Sequence, residues 1–324
     1  MTRRFVNQLA DAEDLTEVFR VSEKQLRPNR NGNLYLQVRL SDRTGVVTGM
    51  MWNANEKLYR SFENGDYVRV DGAAQLYNGT IQVIVNQIRK ANADDVDEGD
   101  FDPLTQADME RLRSRAAELL RGMRSVHLRN LAEVFLLDEE FLAKFCRAPA
   151  GVKIHHAYHG GLLQHVVGLM ELAHQVAPLY PQLDPDLLLI GAFVHDVGKI
   201  DELSYERDLS YSDEGQLIGH MVQGVGLIDR MVVKAEELAG EPIPADLVLR
   251  VKHMIVSHHG SLEFGSPRVP MTLEAVALHY LDSLDSKIHS FHQLMATDVN
   301  SDSAWTPYQP SIGRRLFKGG AQTT

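Results

Sequence analysis

All fourteen histidines of this 324-residue chain lie beyond residue 126, and eleven fall between His155 and His279. Histidines scattered over a solvated surface would not crowd into one stretch. At its centre stands His195-Asp196, at the end of the apolar run 187–194. Asp184 and Pro185 open that run as an N-cap and first-turn proline, and Gly198 follows its end, so the run reads as a buried helix. A carboxylate at the buried end of such a helix is costly unless it is paired or holds a metal. Imidazole plus carboxylate suits a divalent ion of the Mn, Fe, Co, Ni or Zn group. The dipeptide by itself equally allows a His-Asp hydrogen bond that only ends the helix.

Further donors are spread over other apolar-periodic segments. His155, His156 and His159 lie in a loop entering a helix that carries His165 beside its apolar face. His220 opens one helix and His258-His259 close another. His279, Asp282 and Asp285, three apart on a long late helix, share a face. An early histidine, the His-Asp pair and a late aspartate make four N/O ligands. His220 with His258 or His259 would complete a second site, with Asp196 bridging. His127, His174, His253, His289 and His292 read as structural or solvent-facing.

The elements that must position these groups are helical. Segments 105–123, 127–137, 138–146, 162–176, 185–197, 220–238, 244–257 and 272–295 carry helical periodicity. The first third is different. Residues 15–21, 34–40, 46–52, 67–72 and the 75–85 hairpin, turning at Asn78-Gly79, read as five short strands, with a helical piece at 53–62. That order suits a small closed barrel of the oligonucleotide-binding (OB) type. Arg39, Arg43, Trp52, Arg69 and Tyr77 could give it the charge and stacking a single strand needs; equally, the aromatics could be barrel core and the arginines a solvated face.

Composition bounds the class. With 44% hydrophobic and 24% charged residues the chain is an ordinary globular one. No apolar run reaches the roughly 18 residues of a membrane span, and the start lacks the apolar stretch of a signal peptide. The single cysteine, Cys146, excludes an internal disulfide, reads as a core filler, and fits a reducing cytoplasm. A net charge of -11 argues against nucleic acid only if uniform, and residues 1–90 carry 13 Lys+Arg against 10 Asp+Glu. Residues 94–102, with six acids in nine positions, read as a linker or solvated edge. The fold expectation is thus a multidomain α and β protein: a five-stranded OB-fold barrel over 1–90, an acidic linker over 91–103, an all-α helical bundle over 104–296, and a tail over 297–324.

The spacing His165, His195-Asp196, Asp282 resembles the H…HD…D pattern of HD-domain metal-dependent phosphohydrolases, and His220 with His258-His259 resembles their multi-histidine, binuclear members. The stretches His155-His-Ala-Tyr-His-Gly-Gly-Leu-Leu-Gln-His165, Leu217-Ile-Gly-His220, Ser257-His-His-Gly-Ser-Leu-Glu-Phe-Gly-Ser-Pro267 and Leu278-His-Tyr-Leu-Asp-Ser-Leu-Asp285 look like the YhaM-type 3′ to 5′ exoribonucleases, which carry an OB-fold before the HD domain. That likeness covers nearly the whole chain; Leu281 and Ser283 depart from it beside the final aspartate.

The resemblance implies one divalent ion on His165, His195, Asp196 and Asp282, with Asp285 the rival for the last place, and a second on His220, His258 or His259, and shared Asp196. Manganese is the first expectation, with iron, cobalt or nickel as alternatives. Asp196 and Lys199 are the expected catalytic residues, Lys199 contacting a phosphate oxygen unless it is a surface lysine. His155, His156 and His159 would bind phosphate or protonate the leaving oxygen, or merely brace the helix start. Arg39, Trp52 and Tyr77 would hold the strand. The implied function is a cytoplasmic 3′ to 5′ exonuclease on single-stranded RNA or DNA, with no membrane partner and a homo-oligomer left open. The alternatives are an HD phosphodiesterase for cyclic dinucleotides or nucleotides, and a nucleic-acid-binding adaptor with a structural metal.

Overall fold

The computed structural model describes residues 3–77, 79–152, 158–205, 209–296, 298 and 303–319. The barrel comes first. β1 (Asp14–Pro28), β2 (Leu34–Asp42), β3 (Gly45–Met51), β4 (Tyr67–Tyr77) and β5 (Thr80–Lys90) close in the order β1-β2-β3-β5-β4, with β3 and β5 parallel and the other pairs antiparallel. Period-two alternation puts Leu36, Val38 and Leu40 of β2 and Val68 and Val70 of β4 inside. Phe19 and Phe62 fill the centre. The helical piece between β3 and β4 shrinks to α1 (Glu56–Tyr59), because Asn53 takes a left-handed φ of 55° and Asn55 caps the first turn through Leu58 N–H. The strands expected at 67–72 and at the start of 75–85 are one continuous β4, and the hairpin closes at Tyr77 and Thr80. Asn78, half of the expected turn, lies outside the described residues.

The acidic stretch keeps Asp94, Asp95, Asp97 and Glu98 exposed, as a solvated edge would, and is anchored at a few points. Asp95 pairs with Arg69 at 3.0 Å, Asp100 with Arg3 at 3.0 Å, and the Arg43 backbone N–H donates to the Asp100 carbonyl. Phe101 is buried against Tyr67, ring centres 4.6 Å apart. Two of the six acids thus pair with arginines of the N-terminal unit, one of them Arg69 from the basic groups expected for nucleic acid.

The second unit is helical: α2 (Gln106–Arg121), α3 (Val126–Leu137), α4 (Glu139–Arg147), α5 (Gly161–Val176), α6 (Pro185–Val194), α7 (Lys199–Glu202), α8 (Asp213–Ile218), α9 (His220–Ala239), α10 (Ala245–Ser257) and α11 (Leu273–Ala296). α6 is its axis. Every residue from Leu187 to Val194 is buried, Asp184 caps the Asp186 and Leu187 N–H groups, and α3, α5 and α10 pack around it. Phe193 stands edge-on to Phe135 and Phe145, ring centres 5.5 and 5.7 Å apart. Cys146 is partly buried, and burial pushes its thiol pKa up, as befits a filler.

Two features depart from the expected all-α bundle. A two-stranded ribbon, β6 (Leu203–Ser204) with β7 (Ser210–Tyr211), interrupts it, and α8 follows with Ser212 as its cap. Both are too short to leave a periodic pattern. Among the described residues no helix is long and apolar enough to cross a membrane.

Candidate metal centre

Five histidines converge, and each has one ring nitrogen already committed. His195 Nδ1 lies 2.9 Å from the Ala192 carbonyl, His258 Nδ1 2.7 Å from that of Ile255, and His259 Nδ1 2.8 Å from that of Phe264. His165 Nδ1 lies 2.8 Å from Asp285 Oδ2, and His220 Nδ1 3.0 Å from Glu202 Oε1. Carbonyls and carboxylates only accept, so each Nδ1 carries the proton and donates it. A ring that is neutral with its proton on Nδ1 keeps its Nε2 lone pair for the cluster, the arrangement that metal-ligating histidines require.

The Nε2 atoms then meet one another and two aspartates. His165 Nε2 is 3.3 Å from His195 Nε2 and 3.3 Å from Asp282 Oδ1; His195 Nε2 is 3.3 Å from Asp196 Oδ2. On the other side of the same carboxylate, Asp196 Oδ1 is 3.5 Å from both His220 Nε2 and His258 Nε2. Three sets of donors are each close enough to share an ion: His165 with His195 and Asp282, His195 with Asp196 and His258, and His220 with His258 and His259.

The residues fit a cation. Two imidazole lone pairs at 3.3 Å repel unless a positive charge lies between them. Donors each about 2.1 Å from one ion are themselves separated by roughly 3.0–3.5 Å, the spacing found here. Asp196 Oδ1 and His220 Nε2 are both buried without a hydrogen-bond partner, an expensive state that a bound ion removes.

The electrostatics differ from ring to ring. Burial pulls the His165 imidazole down, but hydrogen bonds and charge from Asp282 and Asp285 outweigh it and leave its pKa pushed up to about 9, so an ion binding at this ring must displace a proton. Burial raises the Asp196 and Asp282 carboxyls, yet Lys199 and His195 beside the former, and His165 and His195 beside the latter, hold both below the usual range. Burial lowers His258 and His259, keeping those rings neutral and able to coordinate.

Local sequence explains the assembly. Gly198, just past the pair, lets α9 approach: a Cβ there would collide with the His220 carbonyl and lie 2.8 Å from Gly224 N. Gly260 takes φ +83° against the His279 ring after His258-His259, and His279 Nδ1 donates to the His258 carbonyl. Glu202 does two tasks with Oε1, accepting the His220 backbone N–H at the start of α9 as well as its Nδ1–H. The His220 hydrogen bond keeps the Glu202 carboxyl low despite burial.

The rivalry between the late aspartates resolves by position. Asp282 faces the Nε2 atoms as a ligand would, whereas Asp285 stands behind His165 on Nδ1. His258 and His259 both belong to the cluster. Lys199 is not a surface lysine: its Nζ lies 2.7 Å from Asp196 Oδ2 and 2.7 Å from the Ala150 carbonyl, and the adjacent carboxylate raises its pKa against the effect of burial. His159 Nε2 lies 2.9 Å from the Tyr205 carbonyl, a contact that fits the bracing alternative and leaves the catalytic one open. His155 and His156 lie outside the described residues. Of the five Nδ1 partners, sequence reasoning missed Glu202 and the carbonyls of Ala192, Ile255 and Phe264, and named Asp285 only as a rival ligand. It also missed Gln223, one turn past His220, whose amide atoms are buried without a partner.

On the barrel, Trp52 and Tyr77 are 51% and 58% exposed, which excludes the core reading for both. Trp52 leans on Tyr35, ring centres 5.5 Å apart, and Arg39 on the same outer face of β2 donates to Thr48 Oγ1 of β3. Tyr35 had drawn no attention in the sequence, although it stands two pleats from Arg39 and shares its face. Arg43 stacks on Phe5, 4.4 Å from the ring centre.

Comparison with known proteins agrees with this division. Residues 162–287 match the HD domain, and residues 18–91 match a family described as an OB-fold nucleic acid binding domain. Among solved structures the chain is similar to the second OB-fold domain of replication protein A from Methanococcus maripaludis, at 19% identity over 28% of this chain and 96% of that one, TM-score 0.23. It is also similar to the mitochondrial single-stranded DNA binding protein Rim1 of S. cerevisiae, at 22% identity over 25% of this chain and 98% of that one, TM-score 0.21. The chain therefore joins a five-stranded barrel that matches the OB-fold nucleic acid binding family to a helical region that matches the HD family.

Proposed function

We propose that the chain is a metal-dependent 3′ to 5′ exonuclease acting on single-stranded RNA, and on DNA as a second substrate. The observation that carries the reading is the double donor set bridged by Asp196, with every histidine Nδ1 spent and every Nε2 turned inward, in one chain with a nucleic-acid-binding barrel. His165, His195, Asp196 and Asp282 would hold one ion, and His220, His258, His259 and Asp196 the other. Manganese heads the candidates by the YhaM-type resemblance, and the nitrogen and oxygen donors suit iron, cobalt or nickel as well. Such ions supply a water of lowered pKa and offset charge on the phosphoryl oxygens.

The protein's own groups do the rest. Lys199 orients Asp196 and adds a positive charge beside the place a phosphodiester must occupy. Asp285 and Glu202 fix the rings of His165 and His220. Trp52, with Tyr35 beside it, and Tyr77 offer ring faces to bases, and Arg39 offers charge to the phosphates. Direction and mononucleotide products rest on the YhaM-type resemblance. A cytoplasmic location rests on the lone Cys146, and a homo-oligomer on the apolar stripe Val276, Tyr280, Leu284 and Ile288, exposed along α11.

The test gives manganese-loaded protein and an Asp196→Ala variant 5′-labelled single-stranded RNA and its DNA counterpart. A ladder shortening from the 3′ end, absent in the variant, is expected. Cleavage of cyclic dinucleotides or nucleotides with both polymers intact would overturn the exonuclease reading in favour of a small-molecule phosphodiesterase.

A further inference from the structure

The residues that follow α11 do not form a plain tail. Trp305 bridges Phe317 and Gln309 bridges Arg314 as antiparallel partners, closed by backbone hydrogen bonds from Thr306 to Leu316 at 2.9 Å and from Lys318 to Ala304 at 2.8 Å. Thr306 and Leu316 point inward, 1% and 6% exposed. The opposite face is left to Trp305 and Phe317, 49% and 58% exposed, with ring centres 5.0 Å apart. Arg315, two residues before Phe317, falls on the same face by strand alternation. Lys318 Nζ is held by Asp298 at 2.6 Å. Arg314 and Arg315 are exposed and meet no carboxylate among the described residues, and 303–319 contains no acidic residue in a chain of net charge -11. This hairpin belongs to the same compact unit as the barrel.

Two exposed rings held by a backbone hairpin, beside the exposed guanidinium groups of Arg315 and of Arg314, whose Nε donates to the Ile312 carbonyl, are the parts of a sequence-tolerant single-strand site: ring faces take bases, and the cations take phosphates. We propose that the 303–318 hairpin is a second single-stranded nucleic-acid site, with Trp305 and Phe317 stacking bases and Arg314 and Arg315 contacting phosphates. The occupant is a polyanion because Arg314 and Arg315 leave a cationic patch, beside the Lys318–Asp298 pair, on an otherwise anionic chain. The proposal rests on the reading of the chain as one that acts on single strands.

The chain has two tryptophans, so a Trp52→Phe variant leaves Trp305 as the only indole reporter. Adding phosphorothioate-capped oligothymidylates of increasing length should quench it once the strand is long enough to reach the hairpin. In anisotropy titrations on the otherwise unaltered chain, Trp305→Ala/Phe317→Ala should lose on the order of tenfold to a hundredfold in affinity for long strands. Arg314→Glu/Arg315→Glu, which touches only exposed side chains, should lower the salt slope of binding by about 1.4. Thermal unfolding checks that each variant folds. Wild-type affinity in both pairs, with Trp305 fluorescence unmoved, overturns the proposal while leaving the exonuclease reading intact. Loss of self-association in sedimentation, with strand affinity retained, overturns it in favour of a second copy as the occupant. Failure of the unaltered chain to bind any single strand removes the underlying reading.

Discussion

The metal centre and the outer face of the barrel solve opposite problems. At the centre, His165, His195, Asp196 and His258 are almost wholly buried, and each polar atom has one assigned partner or one assigned role. On the barrel, Trp52 and Tyr77 are more than half exposed and tied down by little beyond their strands. An ion demands donors fixed to within a few tenths of an ångström, and a low-dielectric interior magnifies any error in their charge. A strand of variable sequence demands only ring faces and charge at loose spacing. The buried site should therefore respond to single atoms, and the surface to whole side chains.

The largest effect is expected at Asp196. Replacing it by alanine should abolish hydrolysis of a small phosphodiester and destabilise the helical domain by about 3–5 kcal/mol, because the Lys199 ammonium is left without its partner. Calorimetry on Asp196→Ala beside Asp196→Ala/Lys199→Met separates the two consequences: the double variant should regain stability and no activity. A double variant no more stable than the single one would break the account of the pair. Metal should act on one side of the comparison only. Manganese at about a hundred times its dissociation constant should stabilise the helical domain by about 2.7 kcal/mol, reversed by a chelator, with the barrel transition unmoved.

Smaller losses should follow from the groups behind the ligands. Glu202→Gln and Asp285→Asn keep shape but weaken the acceptor on His220 and His165, so metal affinity in titration calorimetry should fall roughly 10- to 100-fold. Activity should return with excess metal; a permanent loss would mean that these carboxylates do more than orient a ring. On the barrel, Tyr35→Ala and Trp52→Ala should each cost about 1–3 kcal/mol of strand binding, with turnover of the small diester kept. Arg39→Ala should do least, lowering the salt slope of binding by about 0.7.

Much of this was legible before any coordinates. Asp184-Pro185 and the run 187–194 specify α6 and its buried end, because a cap, a first-turn proline and an unbroken apolar stretch act through neighbours in the chain. Among the barrel strands, 34–40 announced itself by alternation and 46–52 by the turn that precedes it, and they fold as β2 and β3. The short pieces, β6, β7, α8 and the 303–318 hairpin, left no period long enough to read, and their form is set by contacts such as Ser212 with the Glu202 carbonyl. That Asp95 and Asp100 meet Arg69 and Arg3 left no mark in the sequence, because nothing local shows that those partners wait for them.

By itself, the sequence determined which residues could coordinate: imidazoles and carboxylates, their number, and the helices that carry them. Only the tertiary structure decided how they divide. Asp282 and Asp285 share a helix face and a chemistry, and what distinguishes them is which nitrogen of His165 each meets. His159 and His220 are equally histidine, but one ring nitrogen is spent on the Tyr205 carbonyl, while the other ring has Glu202 behind it and Asp196 ahead. Those partners lie 46, 18 and 24 residues away in the chain, and a coordination site is defined by the convergence of atoms in space, a property no local pattern of residues contains.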